Sequence, residues 1–329
     1  MKRARETSDA AAAHPYSRLA PELVLAAVDR IGYRSDGRLL ALNSFENRVY
    51  QVGIEVGGFL VAKFYRPGRW SDAAIREEHA FALELAEAEL PVLAPIAREG
   101  ETLFEYERFR YALFPRMGGR APELEGKDTA QWLGRTLARV HAVGARAPFR
   151  ARARLDRAAM VEAPSRAVLR SALLPAHVGA RYEHTIASAL AHTQAWDDLA
   201  AAPALRLHGD SHPGNVLWRE AQGPLLVDFD DCRTGPAVQD LWMLFTGAEE
   251  QRDALLEGYG EFRDFDPREL ALIPLLRLMR QIHYAGWIAE RWSDPAFPRA
   301  FPFAAEPTFW ERHVRDLNEA LEALAQDPG

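Results

Sequence analysis

The chain has 329 residues, of which 48% are hydrophobic and 26% charged, the balance of a soluble globular protein long enough for two lobes. Its net charge of -7 predicts neither nucleic-acid binding nor attraction to an anionic membrane surface, so an anionic cofactor would need a local positive site. The single cysteine excludes an intramolecular disulfide and no apolar run is long enough for a membrane helix, so we expect a cytoplasmic protein.

The N-terminal part of the sequence predicts a disordered tail over residues 1–18, followed by a β-rich lobe over residues 19–115. The tail begins with basic residues but lacks the apolar segment of a signal peptide. Gly57 and Gly58 separate two β-rich runs, which indicates a hairpin. The predicted elements of this lobe are, in order, a helix over 22–31, strands between 39 and 65, a helix over 71–90 and a strand over 102–115.

Residues 116–329 predict a larger, helical lobe. Two short apolar runs crowded with polar groups, RLHGDSHPGNVLW and PLLVDFDD, lie between its helical blocks. A β-rich lobe followed by a helical lobe predicts an α+β, bilobal protein with a cleft between the lobes. The predicted helical segments are 130–143, 157–172, 180–199 and most of the chain from 238 onward.

In the segment RLHGDSHPGNVLW, the carboxylate of Asp210 lies five residues before the amide of Asn215. Asp228 lies thirteen residues after Asn215, directly after the apolar residues LLV. Phosphoryl transfer to a hydroxyl needs a carboxylate as base and hard oxygen ligands that hold Mg²⁺ across the phosphates. We therefore predict an ATP- and Mg²⁺-dependent phosphotransferase. In it, Asp210 is the catalytic base, and Asn215 and Asp228 hold the magnesium, which makes Asp228 a catalytic residue as well.

An alternative is a metallohydrolase that uses His208 and His212 as ligands, because a spacing of four residues suits two ligands on one helix face. Gly209, Pro213 and Gly214 make a helix improbable at this position. We therefore expect His208 to pack and hydrogen-bond beneath the loop that carries Asp210.

Lys63 stands in the apolar strand run FLVAKFY, in a sequence where only three of the 40 basic residues are lysines. An arginine would be expected at an exposed position, whereas a compact ammonium suits a phosphate-facing site, so we predict that Lys63 binds the nucleotide. Its carboxylate partner belongs on the following helix, where Glu77 and Glu78 both qualify. Glu78 is preferred, because it shares a face with Ala82 and Leu85.

Together these residues resemble the kinase-like phosphotransferases related to aminoglycoside and choline kinases, and within them the serine/threonine protein kinases of bacterial stress response. The resemblance implies a protein-kinase-like fold, a nucleotide contact by Ser44 and a catalytic loop steadied by Asp240. It also implies a cytoplasmic monomer. NSFENR replaces the glycine-rich loop of conventional protein kinases, and DFD replaces DFG. The longest similar stretches are LNSFENRVYQ, VAKFYRPGRW, LRLHGDSHPGNVLW, GPAVQDLWML and WSDPAFP.

The adenine is expected to lie against the segment where the β-rich lobe passes into the helical lobe. Phe114, Arg116 and Met117 are the candidate contacts, because Pro115 between them has no backbone N–H to donate.

The motifs leave the phosphate acceptor open, because protein kinases and small-molecule kinases use the same base and metal. The resemblance favours a serine or threonine of a protein substrate. The alternative is the hydroxyl of a small molecule, as in aminoglycoside, choline or homoserine kinases. An acidic groove formed by Glu249, Glu250 and the DFDD run would favour a cationic acceptor.

Overall fold

The computed structural model describes residues 14–326, and every structural statement below refers to that part of the chain. Its N-terminal lobe is a five-stranded antiparallel sheet with strand order β1-β2-β3-β5-β4, flanked by two helices. The elements are α1 (Pro21–Arg30), β1 (Ser35–Leu42), β2 (Arg48–Ile54), β3 (Gly58–Phe64), α2 (Asp72–Glu87), β4 (Phe104–Tyr106) and β5 (Phe109–Pro115).

Strand β3 lies at the centre of this sheet, and its alternating side chains serve two different faces. Ala62 and Phe64 are buried in the core that the sheet forms with α1. Val61 and Lys63 point to the other face, where Val61 packs in the cluster that contains Ile75 of α2. The register of β3 therefore places the lysine on the side of α2 and the cleft.

The C-terminal lobe contains nine α-helices within residues 14–326 and two small antiparallel sheets, β6 with β9 and β7 with β8. One core lies between α3 and α8, and a second lies among α4, α5, α9 and α11. The elements are α3 (Lys127–Gly144), α4 (Ala163–Arg170), α5 (Ala176–Ala191), α6 (Thr193–Ala201), β6 (Leu205–Leu207), β7 (Val216–Arg219), β8 (Gly223–Leu226), β9 (Arg233–Gly235), α7 (Val238–Leu241), α8 (Glu249–Gly260), α9 (Ile273–Glu290), α10 (Ala296–Ala300) and α11 (Pro307–Gln326).

The predicted α+β, bilobal arrangement, with a β-rich lobe followed by a helical lobe, is confirmed. Among the described residues, no helix is both long and apolar enough to cross a membrane.

The segment over 102–115, predicted as a single strand, is instead a hairpin of two antiparallel strands, β4 and β5. The two turn residues, Glu107 and Arg108, both have positive φ, 46° and 69°. Two-residue hairpin turns require this conformation and usually obtain it from asparagine or glycine, so the sequence carried no turn signal. The predicted helix over 180–199 is also two helices, α5 and α6, which meet at His192.

The predicted tail over residues 1–18 lies partly outside the described residues. Tyr16 within it is buried, stacks on Phe109, and donates from its hydroxyl to the carbonyl of Phe64 at 3.1 Å. The ordered lobe therefore begins by residue 14 rather than at residue 19, because an aromatic ring of the predicted tail completes its core.

Gly134 in α3 allows that helix to pack directly against α8, since a Cβ at this position would lie 2.0 Å from the carbonyl oxygen of Leu255. We expect Gly134→Ala to lower the free energy of unfolding by about 1–3 kcal/mol, the usual effect of overpacking. Gly179→Ala in α5 is the matched control. There a Cβ meets nothing within 4 Å, and alanine should raise the free energy of unfolding by about 0.5–1 kcal/mol.

Urea unfolding of the three proteins measures both effects. Equal shifts in the two variants would show that backbone contact between α3 and α8 does not limit residue size at Gly134.

Candidate active site

A cavity of about 640 Å³ lies between the lobes and gathers most of the predicted site residues. The sheet contributes the loop between β1 and β2 (residues 43–47), which we call the β1–β2 loop, together with Lys63 and Phe114. The helical lobe contributes Asp210, Asn215, the DFDD run and one side of α9. The site therefore lies in the predicted cleft.

Lys63 is at the centre of the charged groups of the cavity. Its Nζ lies 2.9 Å from Oδ1 of Asp228, 3.3 Å from Oδ1 of Asp230 and 3.4 Å from Oε1 of Glu78. Burial lowers the pKa of Lys63, but the three carboxylates outweigh burial and raise it well above its usual value. The lysine is therefore a buried, permanently charged ammonium.

The adjacent acids of α2 have different contacts. Glu78 is buried and faces Lys63, whereas the carboxylate of Glu77 accepts hydrogen bonds from the backbone N–H groups of residues 150–152 at 2.6–2.8 Å. Burial raises the pKa of Glu78 to about 7, an effect that Lys63 only partly opposes. Glu77 anchors a segment of the helical lobe and does not reach the lysine.

The loop that carries Asp210 is held from beneath by Asp240. This fully buried carboxylate accepts hydrogen bonds from the backbone N–H groups of His208 and Gly209, both at 2.8 Å. Gly209 has a φ of +86°, and a Cβ there would lie 2.1 Å from the carbonyl oxygen of Asp231. Both the conformation and the space require glycine, so the position of Asp210 is fixed by its neighbours.

Asp210 faces the cavity and has a partner that sequence reasoning missed. Nη1 of Arg280 donates to its Oδ1 at 2.7 Å, and the amide nitrogen of Asn215 donates to its backbone carbonyl at 2.9 Å. The amide oxygen of Asn215 remains available as a ligand. Arg280 lies seventy residues from Asp210, on α9, and no local motif signals the contact.

The two-histidine metal site is contradicted by the geometry. Nε2 of His208 lies 2.9 Å from the carbonyl oxygen of Val227, which places the ring beneath the loop. Nδ1 of His212 accepts from the backbone N–H of Gly214 at 3.0 Å, in a short 3₁₀ turn rather than an α-helix. Residues 14–326 hold no group of three or more His, Cys, Asp or Glu arranged to bind a metal ion.

The three acids of the DFDD run have separate environments. Asp228 adopts a left-handed conformation with a φ of +60° and has a side chain that is 53% exposed. Asp230 and Asp231 are paired with Arg69, and Asp231 also with Arg233 at 2.9 Å. Burial raises the pKa of Asp231, but these guanidiniums hold it well below its usual range. Asp228 is the acid of this run that is open to the cavity.

The candidate acids of an acidic groove do not form one continuous acidic surface. Glu249 and Glu250 lie at the exposed start of α8 and do not line the cavity, and Asp230 and Asp231 are neutralised by arginines. On α9, the side of the cavity next to Asp210 presents Arg280, His283, Tyr284 and Trp287 instead.

Of the four remaining predicted nucleotide contacts, two line the cavity and two do not. Ser44 and Phe114 line the cavity, and the hydroxyl of Ser44 donates to the carbonyl of Asn47 at 3.1 Å. Arg116 and Met117 are not among the lining residues. Arg116 instead donates from Nε to the side chain of Gln51 at 2.6 Å.

Comparison with known proteins confirms the predicted resemblance. Residues 38–273 match the phosphotransferase enzyme family. The chain is 43% identical over 324 residues to stress response kinase A of Salmonella choleraesuis (strain SC-B67), which covers 96% of this chain and 97% of that protein. Serine/threonine protein kinase RdoA of Salmonella typhimurium (strain LT2) matches with the same identity and coverage.

A solved structure of an amicoumacin kinase, in complex with AMP-PNP, Ca²⁺ and Ami, has a similar fold with a TM-score of 0.67. The similarity covers 91% of this chain and 93% of that chain at 18% identity.

The raised pKa of Glu78 makes the stability of the protein depend on pH. Between about pH 4.5 and 7 the folded protein keeps a proton on Glu78 that the unfolded chain releases. The stability that this proton contributes is fully present below about pH 4.5 and is lost as the pH rises to about 7. Over this range the free energy of unfolding falls by up to roughly 1.4 kcal/mol per pH unit. We expect Glu78→Gln to remove this loss.

Urea unfolding of wild type and Glu78→Gln between pH 5 and 8 measures the difference. Glu87→Gln, an exposed site on the same helix, should follow the wild-type profile. Parallel profiles for wild type and Glu78→Gln would show that Glu78 does not titrate in this range.

Proposed function

The chain belongs to the phosphotransferase enzyme family and is a kinase, and we propose that it transfers the γ-phosphate of ATP to a serine or threonine hydroxyl of a protein. The observation that carries the proposal is the convergence of Asp210, Asn215, Asp228 and Lys63 on one cavity. Two relatives at 43% identity, one of them named a serine/threonine protein kinase, support the protein acceptor.

In this mechanism Asp210 accepts the proton of the acceptor hydroxyl as the hydroxyl oxygen attacks the γ-phosphorus and ADP leaves. Arg280 donates to Oδ1 of the carboxylate at 2.7 Å, and Nε2 of His212 lies 3.5 Å from Oδ2, so both groups orient the base. The hydrogen bonds from His208 and Gly209 to Asp240 keep the loop, and with it the base, in place.

Asp228 and Asn215, which line the same cavity as Asp210, would hold Mg²⁺. The open carboxylate of Asp228 and the available amide oxygen of Asn215 are hard oxygen donors, and they suit an ion that completes its shell with water and phosphate oxygens. When bound, the ion neutralises charge that develops on the phosphates. The ammonium of Lys63, oriented by Glu78 and Asp230, binds the phosphates beside it.

The purine would occupy the apolar end of the cavity, where Phe114, Val49 and Val61 of the sheet face Leu93. Ser44 and the β1–β2 loop would lie over the phosphates. Arg116 and Met117 could act there only through their backbone, since the side chain of Arg116 is bound to Gln51.

The charges around Asp210 argue against a polycationic acceptor such as an aminoglycoside. Recognition of several ammonium groups requires unpaired carboxylates, whereas Asp230 and Asp231 are held by arginines and α9 presents Arg280. A small-molecule hydroxyl kinase remains the second candidate, because a cavity of about 640 Å³ has the size of a small-molecule site. We also propose that it acts in a bacterial stress response, on the names of the relatives. The cytoplasmic, monomeric state that the resemblance implies stays a prediction.

The test of the acceptor is an assay with radiolabelled ATP and the purified protein, alone, with a generic protein acceptor, and with a metabolite extract. Label on serine or threonine of a protein supports the proposal. Label that enters only the metabolite fraction would replace it with the small-molecule function.

Asp210→Asn tests the base. We expect turnover to fall by roughly 10²–10⁴, the usual contribution of a general base, with ATP affinity nearly unchanged. Asp253→Asn, an exposed site on α8, is the control and should retain wild-type turnover. Retention of most activity in Asp210→Asn would mean that another group accepts the proton.

Asp228→Asn removes one charge and keeps a residue that tolerates the left-handed conformation. We expect Mg²⁺-dependent ATP binding to be lost, because Asn215 alone is a neutral ligand. Calorimetry with ATP, with and without Mg²⁺, measures this. An unchanged magnesium dependence would assign the ion to a different carboxylate, and Asp230 would be tested next.

A further inference from the structure

Asp294 is a buried carboxylate of the helical lobe that binds two arginines of the β-rich lobe. It lies between α9 and α10 and is 1% exposed. Nη2 of Arg48 donates to both of its oxygens, at 2.7 and 2.8 Å, and Nη2 of Arg66 donates to Oδ2 at 2.8 Å. Two charge-assisted contacts in a buried place make this a specific junction between the lobes.

The same two arginines bind the backbone of the β1–β2 loop. Nη1 of Arg48 donates to the carbonyls of Phe45 and Asn47, at 3.1 and 3.3 Å. Arg66 donates to the carbonyls of Glu46 and Phe45, at 3.0 and 3.2 Å. Each guanidinium therefore connects the loop to Asp294.

Side chains of the loop make further contacts with the helical lobe. The carboxylate of Glu46 accepts from Nε1 of Trp287 at 2.5 Å and lies 2.5 Å from Nε of Arg291. The ring of Phe45 packs edge-on against Phe301 with centroids 5.1 Å apart. The loop is thus held at its backbone and at two of its side chains.

These contacts engage the carbonyl groups of the loop but not all of its donors. Within the described part of the chain, the backbone N–H groups of Ser44, Phe45 and Glu46 have no hydrogen-bond acceptor. Successive unpaired amides form anion-binding concavities. Phosphate-binding loops that contain glycine adapt to the ligand, whereas this loop contains none and has to be held in place from outside.

We propose that Asp294 is a positioning residue that holds the β1–β2 loop over the nucleotide phosphates through Arg48 and Arg66. The proposal rests on the proposed function of the cavity as an ATP site. Asp294 acts from the far side of the loop and does not line the cavity, so its effect on the nucleotide passes through the two arginines.

Asp294→Asn is the test, because it removes the charge and nearly preserves the volume. We expect amide hydrogen exchange of residues 43–47 to accelerate about 10-fold or more. The dissociation constant for ATP and the KM for ATP should both rise by about 10-fold. KM for the acceptor and exchange in α3 and α8 should stay within about 2-fold of wild type, because a local effect spares the rest of the fold. Asp197→Asn, the same change at an exposed site on α6 far from the loop, is the matched control.

Arg48→Gln provides a second variant if Asp294→Asn fails to fold, since Arg48 is partly exposed and Arg66 keeps its own pair with Asp294. Loop exchange and ATP affinity equal to wild type in the folded variant would overturn the proposal, as would equal acceleration throughout the protein. If wild type binds no ATP, the proposed function fails. Loop exchange then still shows whether Asp294 holds the loop.

Discussion

A buried ammonium is the constraint on which the rest of the site depends. A buried charge needs partners, and Lys63 has them in Glu78, Asp228 and Asp230. These acids come from α2 and from the DFDD run, so a single side chain at the centre of the sheet fixes a helix of one lobe and a loop of the other. Removal of the lysine would leave three carboxylates at close range without their common cation.

The three acids of the DFDD run differ in their partners and in their exposure to the cavity. Arg69 and Arg233 neutralise Asp231, and Arg69 also binds Asp230, which leaves Asp228 exposed to the cavity. A charged ligand for a cation must be accessible, whereas a structural ion pair must be shielded from water. The same short acidic run supplies both. Asp228, in a left-handed conformation, has a side chain that is 53% exposed, whereas those of Asp230 and Asp231 are 5% and 27% exposed beside Arg69.

The sequence predicted what depends on local chemistry and missed what depends on distant contacts. The two-lobe order, Lys63 with Glu78, and the run from Asp210 to Asp228 follow from strand alternation, helix faces and loop composition. Arg280 beside Asp210 and Asp294 beneath the β1–β2 loop are partners 70 and 246 residues away from the groups they bind, and neither stands in a motif. The tight turn at Glu107 and Arg108 was missed for a different reason, since its residues are not those that favour positive φ.

The two lobes meet through charges of opposite sign. Along the cleft, several pairs have the cation in the β-rich lobe and the carboxylate in the helical lobe: Lys63 with Asp228, Arg69 with Asp230 and Asp231, and Arg48 and Arg66 with Asp294. Glu46 with Arg291 has the opposite order. The pairs lie along the cleft from the DFDD run to the β1–β2 loop. A nucleotide that carries its own negative charge can replace Asp228 at Lys63, whereas Asp294 stays bound behind the loop. The contacts that hold the loop at Asp294 are therefore separate from the pair at Lys63 that a nucleotide would replace in the proposed function.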